Sequence, residues 1–282
     1  MKQRPVPEGL EIDPKSTAGI IEKFIQKEVT ENRFDRVVLG LSGGADSAVV
    51  AALCCRALGP RYVHAFLMPY KTSSDSSLRD AETVAESLGL KPEVIDITPV
   101  ADAYFEGRDL TRLRKGNVFA RVRMLTLFDM AAKSSALVAG TSNKTETFLG
   151  YCTWYGDVAC SFQPIADLYK TQLWQLAEWL KLPECVISKA PSADLWPGQT
   201  DEDELGLEYV VADQILHGLL DLQIRPADLI EQGANRDAVE RILRIIRKTQ
   251  YKRQMPRVAR IGSGTPGLES LLSRELSPDA SL

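Results

Sequence analysis

The sequence predicts an α/β protein in which a doubly wound parallel sheet is flanked by helices and followed by a helical C-terminal part. Three observations predict it. Apolar, β-branched runs of strand length recur through the first half, helical periodicity fills the intervals, and two of the runs end in glycine- and hydroxyl-rich turns. Strands separated by helices imply parallel pairing through right-handed crossovers. In such sheets ligands lie beyond the C-terminal ends of the strands, where strand order reverses.

Residues 1 to about 14 are rich in proline and charge and read as a loose arm. Ser16 or Thr17 then caps a helix whose Ile20, Ile21, Phe24, Ile25 and Val29 recur at helical spacing. Strands follow at 37–41, 62–68, 93–97 and 136–139, with helices near 47–58, 76–88 and 117–133 between them. Further helices are expected near 170–181, 204–217 and 235–249. Residues 1–260 read as one domain, and Gly262, Gly264, Pro266 and Gly267 make 261–282 a flexible tail.

With 282 residues, 44% of them hydrophobic and 26% charged, the chain can bury a full core. A net charge of −4 gives no global attraction to nucleic acid. No apolar stretch approaches the ~20 residues that cross a bilayer. The N-terminus also lacks a hydrophobic signal core, so a cytoplasmic protein without a membrane partner is expected. Five cysteines without a Cys-x-x-Cys spacing read as reduced, structural thiols. Only two histidines, His64 and His217, are present, which disfavours a histidine triad or a multi-histidine metal centre.

The string Ser42-Gly43-Gly44-Ala45-Asp46-Ser47 follows the first strand directly and carries most of the functional information. Gly43 and Gly44 can take positive φ and let backbone N–H groups approach an anion, while Ser42 and Ser47 add hydroxyls. The helix N-terminus adds partial positive charge, which completes a phosphate cradle. No Walker lysine follows the glycines. Asp46 instead places an anion at an anion site, which makes electrostatic sense when a divalent cation lies between carboxylate and phosphate. The string is similar to the pyrophosphate loop of ATP pyrophosphatases, although a Ser-Gly-Gly turn also serves simply to join a strand to a helix.

Gly140-Thr141-Ser142-Asn143-Lys144-Thr145-Glu146 repeats the pattern after the strand at 136–139. Glu146 would be a second carboxylate for Mg²⁺, with phosphate oxygens and water completing an octahedral shell; alternatively Thr141 and Glu146 only cap a helix. Gly116 to Met124 starts a helix in which Arg121 shares a face with Asn117, facing either a ligand or solvent. Tyr151, Trp154 and Tyr155, bounded by glycines, suit stacking on a flat ring and equally suit a core. Lys170 opens a helix, a position where its charge is disfavoured unless an anion is near. Pro191 to Glu204 is a long polar loop, a candidate lid, whose acids are mostly ordinary helix capping.

These segments, in this order over residues 16 to about 256, resemble the NAD synthetase family. The resemblance implies an adenine nucleotide alpha hydrolase-like fold and a ligase that amidates deamido-NAD (nicotinic acid adenine dinucleotide). The substrate carboxylate would attack the α-phosphate of ATP, and ammonia would then displace AMP. By position it implies ATP contacts at Gly40, Ser42, Gly43, Gly44, Ala45, Asp46, Ser47, Thr141, Lys170 and Ser192, with Asp46 and Glu146 holding Mg²⁺. It implies deamido-NAD contacts at Arg121, Tyr151, Trp154, Asp157, Ser161, Tyr251 and Lys252, and catalytic roles for Asp46, Glu146, Lys170 and Asp157. Trp154 and Ser161 stand where many ammonia-dependent bacterial members carry lysine and aspartate. With no fused amidase in these residues, ammonia would come free or from a separate glutaminase, and a homodimer is expected. The alternatives are an ATP pyrophosphatase with another acceptor, or a non-catalytic nucleotide-binding protein.

Overall fold

Apolar residues on alternating positions of short central strands face two separate helical layers, and that alternation organises the chain. The computed structural model describes residues 4–192, 196, 198–254, 256, 258–259 and 261. The expected tail, apart from Ile261, lies outside them, as do Ala193, Asp194, Leu195 and Pro197 of the long loop. In chain order the first part comprises α1 (Pro14–Glu31), β1 (Arg36–Gly40), α2 (Ala45–Leu58), β2 (Val63–Leu67), α3 (Asp75–Ser87), β3 (Glu93–Val94), α4 (Thr98–Phe105), α5 (Arg112–Ser134) and β4 (Ala136–Val138). The second part is helical: α6 (Lys144–Leu149), α7 (Lys170–Trp179), α8 (Glu184–Ile187), α9 (Asp201–Leu205), α10 (Tyr209–Leu220), α11 (Pro226–Glu231) and α12 (Arg236–Thr249).

All pairings are parallel and the spatial order is β3-β2-β1-β4. Val37 pairs with Val63 on one side of β1 and with Leu137 on the other. The chain builds outward from β1 to β3 and then returns to β1's opposite edge, so order reverses between β1 and β4. The loops leaving those two strands therefore open the crevice that doubly wound sheets use for ligands. Val37 and Leu39 bury into the layer containing α1, α2, α3, α7, α10 and α12, whereas Val38 faces Phe119 and Ala131 of α5 and Ala101 of α4.

Several expected boundaries are corrected. From Arg4 onward the arm is not loose: Leu10 is 1% exposed, Gln175 Nε2 donates to its carbonyl, and the Arg4 guanidinium lies 4.1 Å from the Trp174 ring. Asp13, not Ser16 or Thr17, caps α1, because Pro14 supplies the pre-set φ of a first helical position. The third strand shortens to two residues and gives way to α4, which starts with Pro99 in its first turn. Thr111 caps α5, so that helix begins at Arg112 rather than at Gly116. The helix expected at 204–217 is two helices, separated where Gly206 adopts φ +63° and where a Cβ would meet the Arg241 guanidinium.

Candidate active site

A cleft of about 1090 Å³ opens at the C-terminal ends of β1 and β4. Its floor is the loop from Gly40 to Ser47, folded as the strand–loop–helix pattern requires. Gly43 has φ +77°, a value that β-carbons oppose, and a Cβ there would fall on the Ser77 carbonyl oxygen of α3. Ser42 and Ser47 bind each other through their hydroxyls at 3.0 Å, and Ser47 Oγ donates to the Gly44 carbonyl at 3.1 Å. Gly44 is the N-cap of α2 and brings no side-chain oxygen, which leaves first-turn N–H groups for a phosphate.

Asp46 sits in that first turn, and α6 delivers Glu146 opposite it. Lys170 joins them: its Nζ donates to Asp46 Oδ2 at 2.6 Å and to Glu146 Oε1 at 3.0 Å, with only 3% of its side chain exposed. The anions beside this helix-opening lysine are thus carboxylates. Burial works to lower the Lys170 pKa, but Asp46 and Glu146 outweigh it and hold it above the ordinary lysine value. Burial and then the nearby Asp46 push the Glu146 carboxyl well above the usual carboxylate range, against the pull of Lys170. Two carboxylates reaching one nitrogen form a hard-oxygen pair that fits Mg²⁺. Among the described residues no group of three or more His, Cys, Asp or Glu stands together to hold an ion.

Most of the predicted residues meet here. Gly40, Ser42, Gly44, Ala45, Ser47, Thr141, Lys170 and Ser192 line the cleft, as do Arg121, Tyr151, Trp154, Asp157, Tyr251 and Lys252. Several are engaged by the protein itself. Lys252 Nζ donates to the carbonyls of Gly150 and Cys152 at 2.8 and 2.6 Å, and Arg121 Nη2 donates to the Trp154 carbonyl at 3.1 Å. Asp157 Oδ1 accepts the Thr153 N–H at 2.6 Å. The Trp154 ring stacks on Tyr155 at 4.5 Å and meets Tyr251 edge-on. Gly43 stays behind the cleft wall against α3, and Ser161 lies outside it, accepting the Val138 N–H at 3.0 Å.

Three buried residues were missed by sequence reasoning. Asn143, not Thr141 or Glu146, caps α6, and its Nδ2 reaches Asp46 Oδ1. Asp201 was grouped with capping acids, yet it is 4% exposed and lines the cleft; Tyr209 donates to its Oδ2 at 3.0 Å, and its Oδ1 accepts no hydrogen bond among the described residues. Burial pushes its carboxyl up. Asp213, fully buried in α10, carried no signal beyond being the one acid on a mostly apolar helix. A polar residue at a core-facing position is the sequence cue for Asp201 and Asp213, whereas Asn143 carries a helix-start signal in its place three residues before Glu146.

A parallel sheet whose first strand ends in such a loop, with the Glu146 carboxylate facing it across the reversal point, defines an adenine nucleotide alpha hydrolase fold of the ATP-pyrophosphatase kind. The chain belongs to the NAD synthase family, whose model matches residues 18–256. The NH(3)-dependent NAD(+) synthetase of Chlorobaculum parvum is 47% identical over 270 residues, 95% of this chain and 98% of that protein. A protein of the same description from Fusobacterium nucleatum is 47% identical over 253 residues, 89% of this chain and 98% of its own. Among solved structures, the NH3-dependent NAD synthetase of Campylobacter jejuni, in complex with nitrate, has TM-score 0.76 and 34% identity; the match covers 89% of this chain and all of that one. The NMN synthetase of Francisella tularensis has TM-score 0.80 and 31% identity, covering 88% and 99%.

Proposed function

We propose that this chain amidates deamido-NAD to NAD, using ATP and ammonia and releasing AMP and pyrophosphate. The observation that carries the reading is the Asp46–Lys170–Glu146 triangle set against the Ser42–Ser47 loop. The family and the relatives described as NH(3)-dependent NAD(+) synthetases support it. Gly40, Ser42, Gly44, Ala45, Asp46, Ser47, Thr141, Lys170 and Ser192 bind ATP, and Gly43 shapes the loop from behind. Arg121, Tyr151, Trp154, Asp157, Tyr251 and Lys252 receive the dinucleotide.

The loop and the α2 N-terminus hold the β- and γ-phosphates, and Lys170 stands where charge shifts onto the departing pyrophosphate. Asp46 and Glu146 would hold Mg²⁺, which when bound neutralises phosphate oxygens and polarises the reacting phosphorus. The dinucleotide's carboxylate oxygen forms a bond to the α-phosphorus as the bond to pyrophosphate breaks. Ammonia then adds to the acyl carbon, loses a proton, and AMP departs with its bridging oxygen. Neither step needs a covalent bond to the enzyme, because ATP activates the carboxylate and ammonia is itself the nucleophile.

No helix among the described residues is long and apolar enough to cross a membrane. Exposed Val100, Tyr104, Leu113, Leu125 and Phe128 on α4 and α5 support a homodimer. Ammonia enters free or from a separate glutaminase. Because one close structural match is an NMN synthetase, a mononucleotide acceptor is the second reading. The deciding assay supplies ATP, Mg²⁺ and ammonium with either deamido-NAD or nicotinate mononucleotide. Equal amounts of NAD and AMP from the former support the proposal; turnover of the mononucleotide alone replaces it with the second reading, and no amide product from either sinks both.

A further inference from the structure

Lys170 and Glu146 reach the site from two different helix N-termini, α7 and α6, and neither helix contacts the substrate cleft along most of its length. Something must set the two ends in register. Helix α7 opens at its N-cap Tyr169, whose own N–H donates to Gln172 Oε1 at 3.1 Å while its hydroxyl turns to Asp221, so the N–H groups of Lys170 and Thr171 need other partners. Those donors are met from other elements. The Lys170 N–H donates to Thr145 Oγ1 of α6 at 3.0 Å, and the Thr171 N–H donates to Asp213 Oδ2 of α10 at 2.8 Å. Thr145 Oγ1 in turn donates to Asp213 Oδ1 at 2.5 Å.

We propose that Asp213 is a positioning residue that, through Thr145 and the α7 N-terminus, fixes Lys170 between Asp46 and Glu146. It never meets the cleft, so it is not catalytic. Asp213 and Thr145 are both fully buried, and each Asp213 oxygen has one donor. Thr145 directly precedes Glu146, so the one hydroxyl sets the backbone of a carboxylate on α6 and of the lysine on α7 at once. The carboxylate also lies at the positive end of α7, which stabilises its charge and offsets the lysine's unfavourable place there. A neutral amide at 213 can accept one of the two donors but must face the other with its own N–H₂ group.

The inference rests on the adenylation reading of the site, and the test separates the two. Asp213→Asn, Thr145→Val, Thr145→Ser and the Asp213→Asn/Thr145→Val pair are compared by melting, by pyrophosphate release with deamido-NAD, and by calorimetric titration with ATP and Mg²⁺. Asp213→Asn and Thr145→Val each lower the rate constant of pyrophosphate release about 10–100-fold, with KM for deamido-NAD within about twofold. Thr145→Ser keeps the hydroxyl and restores the rate to within about threefold. The pair loses no more than the worse single variant, because both break one chain of contacts. Full turnover per folded molecule in Thr145→Val, or losses that multiply in the pair, overturns the proposal. Where Asp213→Asn does not fold, the Thr145→Val and Thr145→Ser comparison decides alone. Where the unaltered protein releases no pyrophosphate, the adenylation reading fails. The ATP titration then judges positioning: weaker MgATP binding in Thr145→Val but not Thr145→Ser upholds it, and equal binding overturns it.

Discussion

Asn143 donates its Nδ2 proton to Asp46 Oδ1 over 2.7 Å, which ties the cap of α6 to the first turn of α2. Its own Oδ1 accepts the Glu146 N–H at 2.9 Å, so one fully buried amide fixes both proposed Mg²⁺ ligands. Asn143→Ala removes the cap, at a cost of about 1 kcal/mol. It also frees Asp46 to rotate, and pyrophosphate release should fall about 10–100-fold. Melting curves and a pyrophosphate assay read the two effects; unchanged turnover would dismiss the positioning role.

Removing either charge beside Lys170 should be more severe than removing the amide. Asp46→Asn and Glu146→Gln are near-isosteric and each leaves the lysine one carboxylate. The fold should survive, because Asp46 and Glu146 stand in the cleft wall rather than the core. Pyrophosphate release should drop below detection in both. Substantial release by either variant at saturating Mg²⁺ would reject the two-carboxylate site.

The legible parts of this molecule are those where one residue type has one physical use. An apolar run that stops at Ser42-Gly43-Gly44 can hardly be other than a strand meeting a loop, and β1, the loop and α2 stand as expected. Leu10 was illegible because the few apolar residues scattered among prolines and acids there set up no period to betray its burial. The two residues of β3 are both exposed at a sheet edge, so no hydrophobic pattern marks where the strand ends. Asp201 looks like its neighbours Glu202 and Asp203, and only tertiary packing puts it alone inside. Asn143 and Asp213 act on groups about a hundred and about forty to seventy residues away, separations that local spacing cannot encode.

Gly43 offers a test of the loop itself. Its φ of +77° strains any L residue, and a Cβ would press on the α3 backbone at Ser77. Gly43→Ala should cost on the order of 1–3 kcal/mol if the loop holds its shape. The loop has an easier course, moving away from α3 and spoiling the cradle. ATP affinity measured by calorimetry should therefore fall more than dinucleotide affinity, and the reverse order would place the phosphates elsewhere.

Trp154 addresses the other substrate. Its ring is held by Tyr155 on one side and the edge of Tyr251 on the other, and it lines the cleft away from the Ser42–Ser47 loop in sequence and element. Replacing it by lysine, as Trp154→Lys, removes a stacking surface worth about 1 kcal/mol and adds a charge. KM for deamido-NAD should change severalfold while KM for ATP stays within about twofold. Equal shifts in both constants would mean that the ring supports the cleft as a whole.

Behind the site, Asp221 gathers Lys144 Nζ at 2.8 Å, Tyr169 OH at 2.9 Å and His217 Nδ1 at 2.8 Å. Burial opposes its ionisation, but Lys144, His217 and Tyr169 outweigh burial, and its pKa is lowered from the ordinary aspartate value. A carboxyl with a lowered folded-state pKa binds fewer protons folded than unfolded, so stability rises with pH across that interval. Its contribution is complete above the unfolded-state pKa of about 4 and disappears as pH falls through the folded-state value. Asp221→Asn should therefore be less stable than the parent at pH 7, and the gap should close as pH drops below about 4. Denaturant unfolding of both proteins at a series of pH values measures the gap directly. A gap that stays constant down the series would show that Asp221 acts through shape and hydrogen bonding rather than through its charge.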